Sequence, residues 1–221
     1  MKLILSEEQQ FLKDTAQSFA RDKTPTNHFR KLRDDGNAKC WDDSIWQEMV
    51  QLGWSGILVP EEFGGSDFGI AGISVIMQEL GKTLTPSPLL ATSVLGVSTI
   101  KLLGSDEQKK NYLPKIVSGE ATTALAVDEG NHHSPFDIEA TATLEDDQWI
   151  LNGQKVFIID GASADFILIV ARTSGKKGES NGLSVFMADK NSTGLEVSQI
   201  STADCRNYAN LVMSNLTLNA E

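Results

Sequence analysis

The sequence has few of the residues that build disulfide frameworks, basic binding surfaces or membrane spans. Its two cysteines, Cys40 and Cys205, are far apart and in no metal-ligand spacing, so we expect a protein of the reducing cytoplasm. The 19 Lys and Arg residues against 30 Asp and Glu give a net charge of −11. This charge argues against nucleic acid and anionic membranes as partners, because both require a cationic surface. No apolar run reaches the roughly 18 residues of a membrane span, and the apolar stretch near Met1 is too short for a signal peptide.

Common catalytic motifs are also missing. The sequence contains no GxxxxGK[ST] phosphate loop, no GxGxxG after a strand, no GxSxG nucleophile elbow and no HExxH zinc motif. His132 and His133 are candidate metal ligands, but adjacent residues rarely point at one ion, so we predict no metal site. From these patterns alone, no residue is assigned a catalytic role.

The first 120 residues carry the periodicity of amphipathic helices. Ser6-Glu7-Glu8-Gln9 has the form of a capping box, and the apolar stripe after it predicts a helix over about 6–22. A polar stretch at 24–39 contains the breakers Pro25 and Gly36. Further helices are predicted after Asp42 or Asp43, over about 70–80, after Ser87-Pro88, and after a second capping box at 105–108, where Pro114 is expected to distort or end the helix.

From Ala121 onward the pattern becomes that of short strands separated by turns. Asn152-Gly153, between the apolar runs 149–151 and 155–159, predicts a type I′ hairpin turn. Strands this short and evenly spaced are typical of a barrel or sandwich. The sequence therefore predicts an α+β protein, with an all-helical domain at 1–120 followed by an antiparallel β-barrel or sandwich at 121–221.

Three blocks of sequence carry a resemblance to a known family. They are LVPEEFGG at 58–65, YLPKIVSGE at 112–120, and LNGQK at 151–155 followed by DG at 160–161, AD at 164–165 and VART at 170–173. In this order, and placed around the boundary between the two halves, they resemble the acyl-CoA dehydrogenase family of flavoproteins. The resemblance covers essentially the whole chain.

This resemblance implies a three-domain fold, of which the sequence matches the helical N-terminal and middle β domains and not the C-terminal four-helix domain. It implies FAD as cofactor, an acyl-CoA thioester as substrate, an electron-transfer acceptor protein as partner, and a homo- or hetero-oligomer. In the family a carboxylate, usually from the C-terminal domain, removes the α-proton and the β-hydride passes to flavin. We therefore name no catalytic base, and expect the 221-residue chain alone to show weak or absent flavin binding and no turnover.

The resemblance also implies a set of cofactor-binding residues in the second half. The segment 127–135 aligns with the family's flavin loop, in which Ser134 matches a serine near both flavin and acyl-CoA. Positions lining the isoalloxazine ring match Leu125, Val127, Asp128 and Phe157. Ile159 stands where the family usually has a threonine that hydrogen-bonds near flavin N5.

Two of these residues depart from the family pattern and leave two interpretations open. Asp128 replaces a threonine, and an ionised carboxylate only accepts hydrogen bonds; Ile159 removes a donor altogether. The segment 156–165 looks closer to a branch that acts on dicarboxylyl- or steroid-side-chain-CoA substrates, often as heteromeric complexes. The chain is then either part of an FAD-dependent acyl-CoA dehydrogenase or a non-catalytic structural subunit with a degenerate flavin site.

Overall fold

The computed structural model describes residues 4–204 and 206–220, and the chain divides after Glu120 into two units, each with its own interior. Within the described residues, none of the helices is both long and apolar enough to cross a membrane.

The first unit is helical, as the sequence predicts. Both capping boxes form, because Ser6 and Ser105 each accept the backbone N–H three residues ahead while Gln9 and Gln108 bond back. The elements are α1 (Glu7–Lys23), α2 (Thr26–Asp34), α3 (Asp43–Gln51), a 3₁₀ turn (Glu61–Phe63), α4 (Gly69–Lys82), a π-helical segment (Leu90–Gly96) that continues into α5 (Val97–Leu103), and α6 (Asp106–Val117).

Two details of this unit differ from expectation. Helix α2 occupies most of the polar stretch 24–39, beginning directly after Pro25, because proline suits the start of a helix. Helix α6 continues past Pro114 to Val117, so the proline lies in the last turn.

The buried segment between α3 and α4 is anchored by Trp54, whose ring contacts that of Phe19 of α1 with centroids 5.1 Å apart.

The second unit is one curled sheet of seven strands: β1 (Thr123–Ala126), β2 (Thr141–Glu145), β3 (Gln148–Ile159), β4 (Phe166–Arg172), β5 (Leu183–Asp189), β6 (Leu195–Ile200) and β7 (Tyr208–Asn219). Their order is β1-β4-β2-β3-β7-β6, with β5 also paired to β4. The prediction of a purely antiparallel sheet is wrong, because β1 and β2 both run parallel to β4. The β2–β3 hairpin lies between β1 and β4 in the sequence. This long crossover connection lets β4 run beside β1 in the same direction. The sheet closes only as a half-barrel.

The predicted Asn152-Gly153 turn is also wrong. These residues lie inside the continuous strand β3, and the hairpin turn is Asp146-Asp147, both with positive φ, between the paired Glu145 and Gln148. Asp tolerates the left-handed region, so Asp-Asp serves as a turn here. Gly153 instead permits the close approach of two backbones, because a Cβ at this position would lie 2.7 Å from the Cα of Ala140.

Candidate functional site

A β-bulge in β3 determines which side chains face outward at the end of this strand. Lys155 pairs with Leu211 and Ile158 with Ala209, so Val156 and Phe157 together oppose the single residue Asn210. The extra residue lets Lys155 and Ile158 both face the interior, although their spacing would put them on opposite faces of a regular strand.

Phe157 is the residue displaced by this bulge. Its φ is +56°, its backbone N–H donates to the side-chain oxygen of Asn210 at 3.2 Å, and its side chain is 61% exposed. Its ring packs against Tyr208 at the start of β7, with centroids 5.2 Å apart. A large aromatic ring is thus held on the surface by backbone geometry, which is the arrangement that a planar ligand needs for stacking.

The apolar residues predicted beside Phe157 lie on two strands. In β1, Ala124 and Ala126 are fully buried, while Leu125 and then Val127 alternate with them and stay partly exposed. Ile159, partly exposed, follows the buried Ile158 and pairs with Tyr208. We call Leu125, Val127, Phe157 and Ile159 the apolar platform. Val127 also packs against the core of this unit, and the exposed carbon of the other three residues suits the hydrophobic part of an aromatic cofactor.

Asp128 follows the platform residue Val127, and its carboxylate is engaged by its own loop. It accepts the backbone N–H of Ser134 at 3.0 Å and contacts Nδ1 of His133 at 3.0 Å. The backbone oxygen of Asp128 also accepts the N–H of Val156 at 2.8 Å, which ties this loop to β3 next to Phe157. The structure therefore brings together Asp128, Ser134 and the bulge that carries Phe157.

Two site residues that the sequence reasoning missed lie beneath this loop. The Lys155 ammonium, fully buried, donates to a carboxylate oxygen of Glu129 at 2.7 Å and to the backbone oxygen of Val127 at 2.9 Å. Burial lowers the pKa of Lys155, and the hydrogen bond and charge of Glu129 oppose that shift. The signal in the sequence is a lysine that ends the LNGQK block and lies within an apolar strand.

A second buried cation, Arg172, holds the far side of the same loop. Its guanidinium donates to five backbone oxygens, those of Phe136, Ile138, Ser174, Glu179 and Asn181. These bonds join residues 136–138 to the turn after β4. The position of the loop that carries Ser134 is thus set by bonds from two directions.

A polar cleft of about 340 Å³ opens next to this loop. Ser134 lines it, and its charged groups are the carboxylates of Glu129, Asp137 and Glu139 against the ammonium of Lys177. Excess negative charge disfavours phosphate groups. A cofactor that uses Ser134 would therefore extend towards the apolar platform rather than place its phosphates in this cleft.

Asp160 is a buried carboxylate one residue beyond the platform. It is 4% exposed, and its nearest cation, Arg206, lies 3.9 Å away, too far for a hydrogen bond. Within the described residues, Oδ2 has no hydrogen-bond partner. Burial raises the pKa of Asp160 to about 6, and the charge of Arg206 only partly opposes this.

Comparison with known proteins identifies the fold's family. Residues 6–120 match the model of the acyl-CoA dehydrogenase N-terminal domain, and residues 124–219 match that of the middle domain. The chain belongs to the acyl-CoA dehydrogenase family. The resemblance carried by the three sequence blocks is confirmed.

Individual relatives agree with this assignment. The chain is 32% identical to the mitochondrial isovaleryl-CoA dehydrogenase of Arabidopsis thaliana, over 89% of this chain and 48% of the relative. It is 27% identical to an acyl-CoA dehydrogenase from Geobacillus kaustophilus, with a TM-score of 0.86 over all of this chain and 58% of that one. A chain in a structure of the electron transferring flavoprotein of Acidaminococcus fermentans is 29% identical, with a TM-score of 0.87 over all of this chain and 58% of that one. The chain spans about half the length of the curated relatives it matches.

Proposed function

We propose that this chain supplies the N-terminal and middle domains of an FAD-dependent acyl-CoA dehydrogenase that acts in the cytoplasm. The observation that carries the proposal is the placement of Phe157: within a chain of this family, a bulge exposes an aromatic ring beside the loop that holds Asp128 and Ser134. Bound FAD would accept the hydride that leaves the β-carbon of the acyl thioester.

The chain's own residues would bind and orient the cofactor and the substrate. The apolar platform would cover one part of the flavin ring and exclude water from it. The Ser134 hydroxyl, fixed through the bond from its backbone N–H to Asp128, would orient the flavin and the thioester. Because the Asp128 carboxylate is already paired with His133 and with the Ser134 N–H, its negative charge is partly compensated within the loop. This lowers the repulsion that an aspartate would otherwise exert on an anionic reduced flavin.

Family membership and the likeness to the Acidaminococcus structure support an electron-transfer protein as the acceptor and assembly as an oligomer.

A second function is favoured by Ile159, whose hydrocarbon side chain offers no hydrogen bond at the place of the family's threonine. In that function the chain is a structural subunit that completes a partner's site and holds no flavin of its own.

The test is equilibrium dialysis of the purified 221-residue chain against FAD, followed by addition of an acyl-CoA under anaerobic conditions. We expect weak, saturable FAD binding and no bleaching of the flavin. Stoichiometric yellow flavin that acyl-CoA bleaches would contradict the expected inactivity of this chain. Co-expression with a second acyl-CoA dehydrogenase subunit separates the two functions: flavin on the partner alone supports the structural subunit, and flavin on both supports the enzyme.

A further inference from the structure

The loop of residues 130–138, which contains Ser134, is closed at its base by one carboxylate. The two oxygens of Glu129 accept the backbone N–H groups of Glu139, at 2.7 Å, and Ala140, at 3.0 Å. The chain therefore leaves Glu129, forms the loop and returns to the same side chain. Asp128, one residue earlier, closes a shorter span: its carboxylate accepts the backbone N–H of Ser134 and contacts Nδ1 of the His133 side chain.

Lys155 joins this closed loop to the sheet. Its ammonium bonds Glu129 and the backbone oxygen of Val127, so it contacts the chain on both sides of Asp128. Lys155 lies directly before the bulge that exposes Phe157, and it faces inward on the same alternation of β3 as the buried Leu151. One fully buried cation thus links the loop with Ser134 to the strand with Phe157.

A buried ion pair is a weak source of net stability. Removing two charges from water costs free energy that their attraction only roughly repays, so apolar replacements of similar volume are often neutral. Such a pair has a clearer value where it fixes one arrangement of groups that otherwise have several. Here the groups that it fixes are those to which a ligand-binding role is proposed.

We propose that Glu129 and Lys155 are positioning residues for cofactor binding: their ion pair sets the loop that carries Asp128 and Ser134 at one fixed place beside Phe157. This inference rests on the proposed function. It concerns residues that act through Ser134 and the platform, and neither is a catalytic residue.

The experiment compares the wild-type chain with the double variant Glu129→Gln, Lys155→Met, which removes both charges and keeps an oxygen acceptor at position 129. The matched control is Lys177→Met, which breaks the exposed Lys177–Glu139 pair of the same unit. Hydrogen exchange of backbone amides, read by NMR, measures loop order without FAD. Amide shifts during an FAD titration measure affinity.

We expect exchange of the Glu139 and Ala140 amides and of the loop to accelerate at least about tenfold in the double variant, with FAD affinity falling about tenfold, because one of the two oxygens that accept these amides and the bonds from Lys155 are lost. Amides of β4 and β5 should keep their protection, and the control should match wild type. The proposal is overturned if the double variant is folded and its FAD affinity is unchanged, whether or not the loop exchanges faster.

A second variant covers the case in which the double variant does not fold. Glu129→Gln alone, which retains Lys155, should then show the same two effects at smaller size, and their absence overturns the proposal. If the wild-type chain shows no FAD-induced shifts, the proposal that this chain itself binds flavin fails and the structural-subunit function is favoured. In that case faster loop exchange in the double variant still supports a positioning role for the pair, and unchanged exchange overturns it.

Discussion

The rings of Phe157 on β3 and Tyr208 on β7 contact each other in a tilted arrangement, with centroids 5.2 Å apart, although Phe157 has a positive φ that large side chains rarely adopt. The bulge that imposes this conformation leaves Phe157 outside while Lys155 and Ile158 remain inside. Strained backbone that exposes an aromatic ring is an observation from which a ligand-binding role can be inferred.

The first prediction concerns that ring. Phe157→Ala removes the stacking surface and should weaken FAD binding about 3- to 10-fold, the range expected for loss of one aromatic contact. Leu144→Ala is the matched control, because Leu144 is 52% exposed on β2 of the same unit and is no part of the platform. NMR titration with FAD measures both. Equal affinities for the two variants would contradict a role for Phe157.

The second prediction separates buried from exposed lysines. Lys155→Met leaves the Glu129 carboxylate without its buried partner, and should lower the free energy of unfolding by about 3–5 kcal/mol. Lys177→Met breaks an exposed pair and should cost less than about 1 kcal/mol. Urea unfolding followed by tryptophan fluorescence gives both values. Similar values for the two would show that the Lys155–Glu129 contact does not behave as a buried ion pair.

The third prediction is a pH dependence due to Asp160. Its pKa is raised from the ordinary value of 3.8 to about 6, so the folded chain binds this proton more tightly than the unfolded chain does. The buried charge therefore lowers the free energy of unfolding by its largest amount above pH 6. This destabilisation shrinks as the pH falls from 6 towards 4, and it is absent below the pKa of the unfolded chain.

Asp160→Asn should accordingly be more stable than wild type at pH 7.5, by about 3 kcal/mol for a shift of this size, with the difference disappearing near pH 4. Asparagine also tolerates the positive φ at this position. Chemical unfolding at several pH values measures the difference, with the exposed Glu145→Gln as control. A difference that grows as the pH falls would have the wrong sign.

The fourth prediction tests the close approach at Gly153. Gly153→Ala places a Cβ 2.7 Å from the Cα of Ala140 at a backbone angle of φ +137°, so it should destabilise the second unit by about 2 kcal/mol or more. Gly130→Ala, where a Cβ meets nothing within 4 Å, should change stability by less than about 0.5 kcal/mol. Thermal unfolding compares them. A neutral Gly153→Ala would show that the glycine is not required for packing.

Gly153 also shows which features of this fold can be predicted from the sequence and which cannot. Local signals are sufficient where the cause is local: the capping boxes at Ser6 and Ser105 predict where α1 and α6 begin. Asn152-Gly153 is a strong turn signal, yet a tertiary contact with Ala140 places it inside a strand. Asp-Asp at 146–147 forms the turn instead.

The candidate site likewise contains residues that the sequence predicts and residues that only the structure shows. Family resemblance predicts Phe157 and Ser134 by alignment, but the direction of the Phe157 side chain depends on the bulge in β3. The position of that bulge follows from the pairing of β3 with β7, a strand much later in the chain. Glu129 is an ordinary residue by itself, and Lys155 stands out only as the end of the LNGQK block, so the sequence assigns neither of them a role. Their importance arises only when the loop closes and brings them to 2.7 Å.

The most direct test of the central claim is an NMR titration of the 221-residue chain with FAD, with every backbone amide followed. We predict saturable shift changes centred on residues 125–134 and 157–159, with Asp160 and Tyr208 at the margin, and little change in the helical unit. Shift changes that centre on the polar cleft around Lys177 while residues 157–159 stay unchanged, or no changes at all in a folded chain, would contradict the claim that this platform and loop bind the flavin.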